Sequence, residues 1–217
     1  MVPELIIFDC DGVLVDSEKL AIRIDQEFLL EIGISMSLEE IIEKFVGRSD
    51  EYFKNEIEKQ LGIIFTENWK SDLEGRYDEA FRNELKPVEG IIEVLESVNV
   101  PICVASSGSQ KKIRNSLKLT SLLHHFGENI FSAEQVSKGK PDPELFLYAA
   151  KIMGANPART VVVEDSQAGV MAGIAANMHV FGYTGGVISE SRLLIPGVTT
   201  FAQMSQLLRA ITAKKDW

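Results

Sequence analysis

Asp9 and Asp11, separated only by Cys10 at the end of the run Leu5-Ile-Ile-Phe8, are the residues whose types and spacing most directly suggest chemistry. Side chains alternate along an extended segment, so both carboxylates leave the chain toward the same side. Like charges that close are costly in an apolar fold unless a cation or a shared proton compensates, and the pair therefore predicts a divalent metal. Gly12 permits a tight turn that exposes backbone N–H groups, an anion nest beside such a metal. Taken alone, the stretch also reads as a solvated turn, and later segments have to decide.

Those segments exist. Pro101 to Ala105 reads as a strand that runs into Ser106-Ser-Gly-Ser109, Thr160 to Val163 as a strand that ends in Glu164-Asp165, and Lys140 lies in the loop Lys138-Gly-Lys-Pro-Asp-Pro143. In parallel α/β sheets ligands bind outside the carboxyl ends of the strands, so three such ends can converge on one pocket. Pro141 and Pro143 stiffen the backbone that would aim Lys140. Together these groups comprise a carboxylate nucleophile, a second carboxylate, a hydroxyl donor, a fixed cation and further acidic ligands, which is what phosphoryl transfer requires. Singly, each has an ordinary alternative: a solvated loop lysine, a serine helix cap, acids at a strand end. Two acids at a buried edge nevertheless need a partner. Arg48, in Phe45-Val-Gly-Arg-Ser49, reads equally as a solvated turn arginine and as a cation that reaches a substrate. His124, His125 and His179 show no ligand spacing, and Cys10 and Cys103 lie in apolar runs as reduced core thiols.

The elements that must position these groups fall into two kinds. From Ser17 to about residue 86 the apolar period is helical: Leu20, Ile24, Phe28 and Leu29 come first, and then a capping-box spacing at Ser37 and Glu40 leads into Ile41, Ile42 and Phe45. Two more helices are expected at 51–61 and 67–85, the latter capped by Thr66. Beyond Pro87, strands at 101–105, 129–132, 160–163 and 179–181 alternate with helices at 90–98, 110–119 and 144–153 and one opened by Ser166, with 179–181 the last core strand. Ser109 would cap the helix from Gln110 so that its first N–H groups point at an anion in the serine loop. The expected architecture is α/β: a Rossmann-like parallel sheet with helices on both faces (residues 1–16 and 87–217), interrupted by an all-α lid or cap (17–86).

Composition sets outer bounds. The 217 residues, 45% hydrophobic, suffice for a full α/β core and a small second domain. A net charge of −10 argues against a broad nucleic-acid or anionic-membrane surface, although it leaves room for a local basic pocket. No apolar run approaches the roughly 18 residues of a membrane span, and acids interrupt the first one, so a soluble, cytoplasmic chain is expected.

In identity, order and spacing the four segments resemble the motifs of the haloacid dehalogenase superfamily phosphatases, with Phe8-Asp-Cys-Asp-Gly-Val-Leu-Val-Asp-Ser-Glu18 and Val161-Val-Val-Glu-Asp-Ser-Gln-Ala-Gly-Val170 the most specific. The resemblance implies that Asp9 attacks phosphorus and becomes an aspartyl phosphate, and that Asp11 protonates the leaving oxygen and then activates water. It implies Mg2+ on the Asp9 carboxylate, the Asp11 backbone carbonyl and Asp165, with Glu164 close by, often through water. It further implies that Ser106 with the Ser107 and Gly108 amides holds the phosphoryl oxygens, that Lys140 neutralises charge, and that the partner is a small phosphorylated metabolite, a sugar or sugar-acid phosphate. A mutase of the β-phosphoglucomutase type shares this core, but its cap histidine, ten residues beyond the second aspartate, is replaced here by Ala21. Dehalogenases lack the aspartate that Asp11 supplies. A phosphorylation-controlled receiver module combines similar groups, but it needs no helical insertion after the first strand.

Overall fold

The computed structural model describes residues 2–46, 50–65 and 68–213. The chain divides into two compact units, Met1–Asp16 with Leu85–Trp217, and Ser17–Glu84. The first opens with β1 (Leu5–Phe8), every residue of which is buried.

The inserted unit contains α1 (Ser17–Glu31), α2 (Leu38–Phe45), α3 (Asp50–Leu61) and α4 (Trp69–Glu84). Leu20, Ile24 and Phe28, four residues apart on α1, are buried as one stripe. At the start of α2 the Ser37 hydroxyl accepts from the Glu40 N–H and the Glu40 carboxylate accepts from the Ser37 N–H, so the expected capping box forms. The expected cap Thr66, and Glu67 after it, lie outside the described residues. Aromatic rings add to the unit's largely aliphatic interior: the buried Phe45 and Phe53 lie 4.7 Å apart, and the half-buried Phe65 stacks on Trp69 at 5.1 Å. Helices α1 and α4 are clasped by two forked ion pairs, Arg23 on Glu84 and Arg76 on Glu31, and by the Tyr77 hydroxyl donating to Asp25. The forked pairs are substantially exposed, so they fix the register of the two helices more than they add stability.

The rest of the first unit is an α/β sandwich. After α5 (Ile91–Ser97) come β2 (Ile102–Ser106), α6 (Gln110–Leu119), α7 (Leu123–Phe126), β3 (Ile130–Ser132), α8 (Glu144–Met153), β4 (Thr160–Glu164), α9 (Gln167–Ala175), β5 (His179–Tyr183), β6 (Val198–Phe201) and α10 (Met204–Ala213). Among the described residues the strands form one six-stranded sheet in the order β3-β2-β1-β4-β5-β6, all pairs parallel. The chain thus has the Rossmann-like core with an inserted all-α cap domain. Strand β1 is central: Phe8 is in register with Val104 of β2 and with Val163 of β4, and the Asp9 N–H donates to the Val163 carbonyl at 3.0 Å. Sheets covered on both faces need continuous apolar strands, which is why β1 and β4 read as unbroken runs.

Two expectations need correction. The strand at 179–181 is not the last, because β5 continues to Tyr183 and pairs with β6. Strand β6, Val-Thr-Thr-Phe, occupies the sheet edge and of its residues only Phe201 is buried, so its hydrophobic pattern is too faint to read. The four-residue α7 was also unmarked, being shorter than the window over which a helical period shows.

Helix α9 approaches the sheet closely at Gly173, where an added Cβ would lie 2.7 Å from Val180 Cγ2 and 3.5 Å from Val162 Cβ. Overpacking here should cost about 1–3 kcal/mol, more than the roughly 1 kcal/mol that alanine gains over glycine in a helix. Gly173→Ala is therefore expected to lower the urea midpoint without changing the m-value, and an unchanged or higher midpoint would show that α9 shifts freely.

Candidate active site

The carboxyl ends of β1, β2 and β4 carry the polar groups that sequence reasoning singled out. Asp9, Ser106, Glu164 and Asp165 are all buried, which is unusual for ionisable side chains and requires compensation.

Lys140 supplies much of it. Its ammonium is 3% exposed and donates to Asp9 Oδ1 at 2.5 Å, to Glu164 Oε1 at 2.7 Å and to the Ala105 carbonyl at 3.0 Å, so it ties together the ends of three neighbouring strands. The Phe146 ring lies 4.9 Å from the same nitrogen. The lysine is aimed by its loop: the Asp142 N–H donates to the Gly139 carbonyl, and the Glu144 carboxylate accepts from the Ser137 and Lys138 amides. The Lys140-Pro141 peptide is cis. Burial opposes the ammonium charge, but Asp9 and Glu164 outweigh it and hold its pKa above the usual lysine range. Burial pushes the Asp9 carboxyl up to about 7; Lys140 pulls against this, while Glu164 and Asp11 add to it.

Glu164 is spoken for on both oxygens. Oε1 faces Lys140, and Oε2 accepts from the Ser166 N–H at 2.7 Å and its hydroxyl at 2.8 Å. The same Ser166 hydroxyl caps α9 by accepting from the Gly169 N–H. Of the expected ligands Asp9, Asp11, Glu164 and Asp165, Glu164 has protein donors on both carboxylate oxygens. Among the described residues no three acidic, histidine or cysteine side chains cluster as a metal cage. A Mg2+ ion needs no such cage, since one or two carboxylates plus water or carbonyl oxygens suffice. The chain offers that at the turn after β1. Gly12 has φ +78°, a Cβ there would fall 1.9 Å from Asp165 Oδ2, and one at Gly186 would lie 3.7 Å from Oδ2 and 4.0 Å from the Gly12 carbonyl. Hard oxygens from Asp165 and the turn backbone are therefore close together, and they fit Mg2+.

The serine loop is organised from within. The Ser106 hydroxyl accepts from the Gly108 N–H at 3.2 Å, and the Gly108 carbonyl accepts from the Ser132 hydroxyl at 2.6 Å. Ser132, wholly buried on β3, was not expected, since its contact with the loop is long-range in sequence. The opening of α6 differs from expectation. Ser109 is its N-cap, but the Lys112 N–H goes to the Ser109 hydroxyl and the Gln110 N–H to the Glu134 carboxylate, so these two amides are satisfied by the protein. Lys112, also not anticipated, places its ammonium 3.0 Å from Asp11 Oδ2. Burial works against that ammonium, yet Asp11 outweighs it and keeps its pKa above the ordinary lysine value. Arg48 lies outside the described residues. Cys10 and Cys103 are buried free thiols, Cys10 raised well above the usual range by burial and by Asp11 and Asp9.

Residues 6–183 match the family model described as "Haloacid dehalogenase-like hydrolase". The chain belongs to the haloacid dehalogenase-like hydrolases. Among these hydrolases it is 34% identical to 6-phosphogluconate phosphatase of Escherichia coli, over 94% of this chain and 92% of that one. It is 27% identical to the phosphorylated carbohydrates phosphatase of Thermotoga maritima, over 96% and 98% respectively. The structure superposes with a TM-score of 0.89 on a crystal structure from Agrobacterium tumefaciens, described as a conserved haloacid dehalogenase-like protein of unknown function; the two are 33% identical and the match covers 97% of this chain and 98% of that one. This hydrolase is an enzyme of the phosphatase type.

Replacing Lys140 should expose how much this centre depends on it. Lys140→Met leaves Asp9 and Glu164 buried without their shared cation, and breaking such an arrangement typically costs about 3–5 kcal/mol. Without the lysine, the folded protein holds carboxyl protons more tightly than the unfolded chain, so between the unfolded pKa near 4 and the raised folded value stability falls as pH rises. The loss in urea titrations of metal-free protein should be larger at pH 8 than at pH 5, and a pH-independent loss would contradict this account.

Proposed function

We propose that the protein is a Mg2+-dependent phosphomonoester hydrolase acting on a small phosphorylated metabolite, a sugar or sugar-acid phosphate, through a phosphorylated Asp9. The observation that carries the reading is the buried Asp9 carboxylate with one oxygen fixed by Lys140 at 2.5 Å, beside a serine loop on the neighbouring strand. Asp9 attacks the phosphorus in line, Asp11 gives its proton to the ester oxygen as that bond breaks, and the alcohol leaves. Water then attacks the phosphorus of the acyl phosphate while Asp11 takes its proton, which releases inorganic phosphate and restores Asp9. Ser106 and the Ser107 and Gly108 amides bind phosphoryl oxygens, and Lys140 offsets the charge gathered at Asp9.

Mg2+ would be held by the carboxylates of Asp9 and Asp165 and the Asp11 carbonyl, where it would neutralise phosphoryl charge and lower the Asp9 pKa. In this reading Glu164 acts through Lys140, and Arg48 reads the far end of the substrate. The substrate class is supported by relatives named for 6-phosphogluconate and for phosphorylated carbohydrates.

Phosphate release from a panel of sugar phosphates, sugar-acid phosphates, phosphoglycolate and nucleotides, with and without Mg2+, tests the reading. Sugar or sugar-acid phosphates should be preferred, activity should vanish in excess chelator, and Ca2+ should inhibit, because its looser and larger coordination misplaces Asp9. Mass spectrometry of acid-quenched enzyme should find phosphate on the peptide carrying Asp9 and none in Asp9→Asn. Full turnover by Asp9→Asn would overturn the mechanism.

A further inference from the structure

Asp11 has to deliver a proton to one oxygen and later take one from another, so its carboxylate must be held in one orientation through both events. The Asp11 backbone is fixed by its turn: the Gly12 N–H donates to the Val15 carbonyl, and the Leu14 and Val15 amides both donate to the Cys10 carbonyl. The turn fixes the backbone, and the side-chain orientation is set by contacts of the carboxylate itself. The side chain is 25% exposed.

Lys112 meets it from another element. The Ser109 hydroxyl fixes the Lys112 N–H in the first turn of α6, and side chains on a helix lean toward its N-terminus, here toward the strand ends. The lysine stem lies along the serine loop: a Cβ on Gly108 would sit 3.5 Å from Lys112 Cδ and 3.6 Å from Ser106 Oγ. The ammonium ends 3.0 Å from Asp11 Oδ2. At 48% exposure this ion pair contributes little to folding stability, and a cation packed between the phosphate-binding loop and the acid/base carboxylate calls for a different role.

We propose that Lys112 is a positioning residue for Asp11: it pins Oδ2 and so presents the other carboxylate oxygen to the ester oxygen and then to the water. The proposal rests on the phosphatase mechanism given above. Oδ2 accepts from the ammonium whether or not the other oxygen carries the proton, so the orientation survives the transfer. Lys112 itself transfers nothing. Its cost when removed is that of a misaimed acid, which depends on how much the leaving group needs a proton. A sugar alkoxide needs one fully, whereas a nitrophenolate departs without it.

The experiment measures kcat/KM, which covers the steps up to alcohol departure, for the sugar phosphate that the wild type turns over fastest and for p-nitrophenyl phosphate. It compares wild type, Lys112→Met, Lys112→Gln, Lys112→Arg and Asp11→Asn. General acids contribute about 10²–10⁴-fold, and a carboxylate that is present but has lost its Lys112 contact keeps part of this. Lys112→Met and Lys112→Gln should therefore lose about 10-fold or more on the sugar phosphate and less than about 3-fold on the aryl phosphate. Lys112→Arg should recover most of the loss, Asp11→Asn should show the same discrimination with a larger loss, and all variants should keep the wild-type urea midpoint. Equal losses on both substrates, or none, in the two lysine variants while Asp11→Asn still discriminates would overturn the role of Lys112 and leave the mechanism standing. An Asp11→Asn variant that does not discriminate would overturn the acid assignment itself, and the inference with it.

Discussion

A single ammonium shared by two buried carboxylates is the constraint on which the rest of this structure depends. Lys140 holds Asp9 and Glu164 together with the Ala105 carbonyl of β2, and the surplus negative charge makes the arrangement expensive in an interior of low dielectric. The fold supports it from several directions. Apolar strands fix the spacing of the carboxylates, the Asp142 and Glu144 carboxylates order the loop that carries the lysine, and Ser166 engages the remaining oxygen of Glu164. A net negative charge with hard oxygen donors nearby favours an added cation on electrostatic grounds.

Much of this was legible in the sequence, and for a physical reason. The polar groups at the strand ends follow strongly apolar runs, so the switch from Phe8 to Asp9 or from Val163 to Glu164 is abrupt and marks both the element and its end. The capping box at Ser37 and the caps at Ser109 and Ser166 were equally visible, since each is a local contact between residues a few positions apart. Long-range partners were not. Nothing near Lys112 or Ser132 signals that one will meet Asp11 and the other the Gly108 carbonyl, because these contacts depend on how β1, β2 and β3 lie side by side. The same distinction explains β6, whose placement depends on β5 beside it and hardly at all on its own alternation.

Glu164 shows how much the surroundings of a residue add to what its type and position suggest. An acid next to Asp165 at a strand end suggests a second metal ligand, and spacing alone does not tell a ligand from a support. The hydrogen bonds add what spacing does not give: one oxygen accepts from Ser166 and the other faces Lys140, which ties Glu164 to the lysine and to the start of α9. Positions of this kind influence chemistry by setting the charge and geometry of a neighbour, and they are found only by following each polar atom to its partner.

The place of β1 in the sheet has a consequence for how the chain is made. Of the strands in the sheet, the one that leads into Asp9 is synthesised before the others, and one of its two neighbours, β4, follows roughly 150 residues later. At synthesis rates of about 5–20 residues per second, Leu5 to Phe8 wait on the order of 10–30 s with one strand edge unpaired. Parallel pairing between such distant segments is slow by its topology as well. The intervening Ser17–Glu84 segment has its own apolar interior and its own clasping ion pairs, so it can collapse while the nascent sheet is still waiting for its centre to be closed.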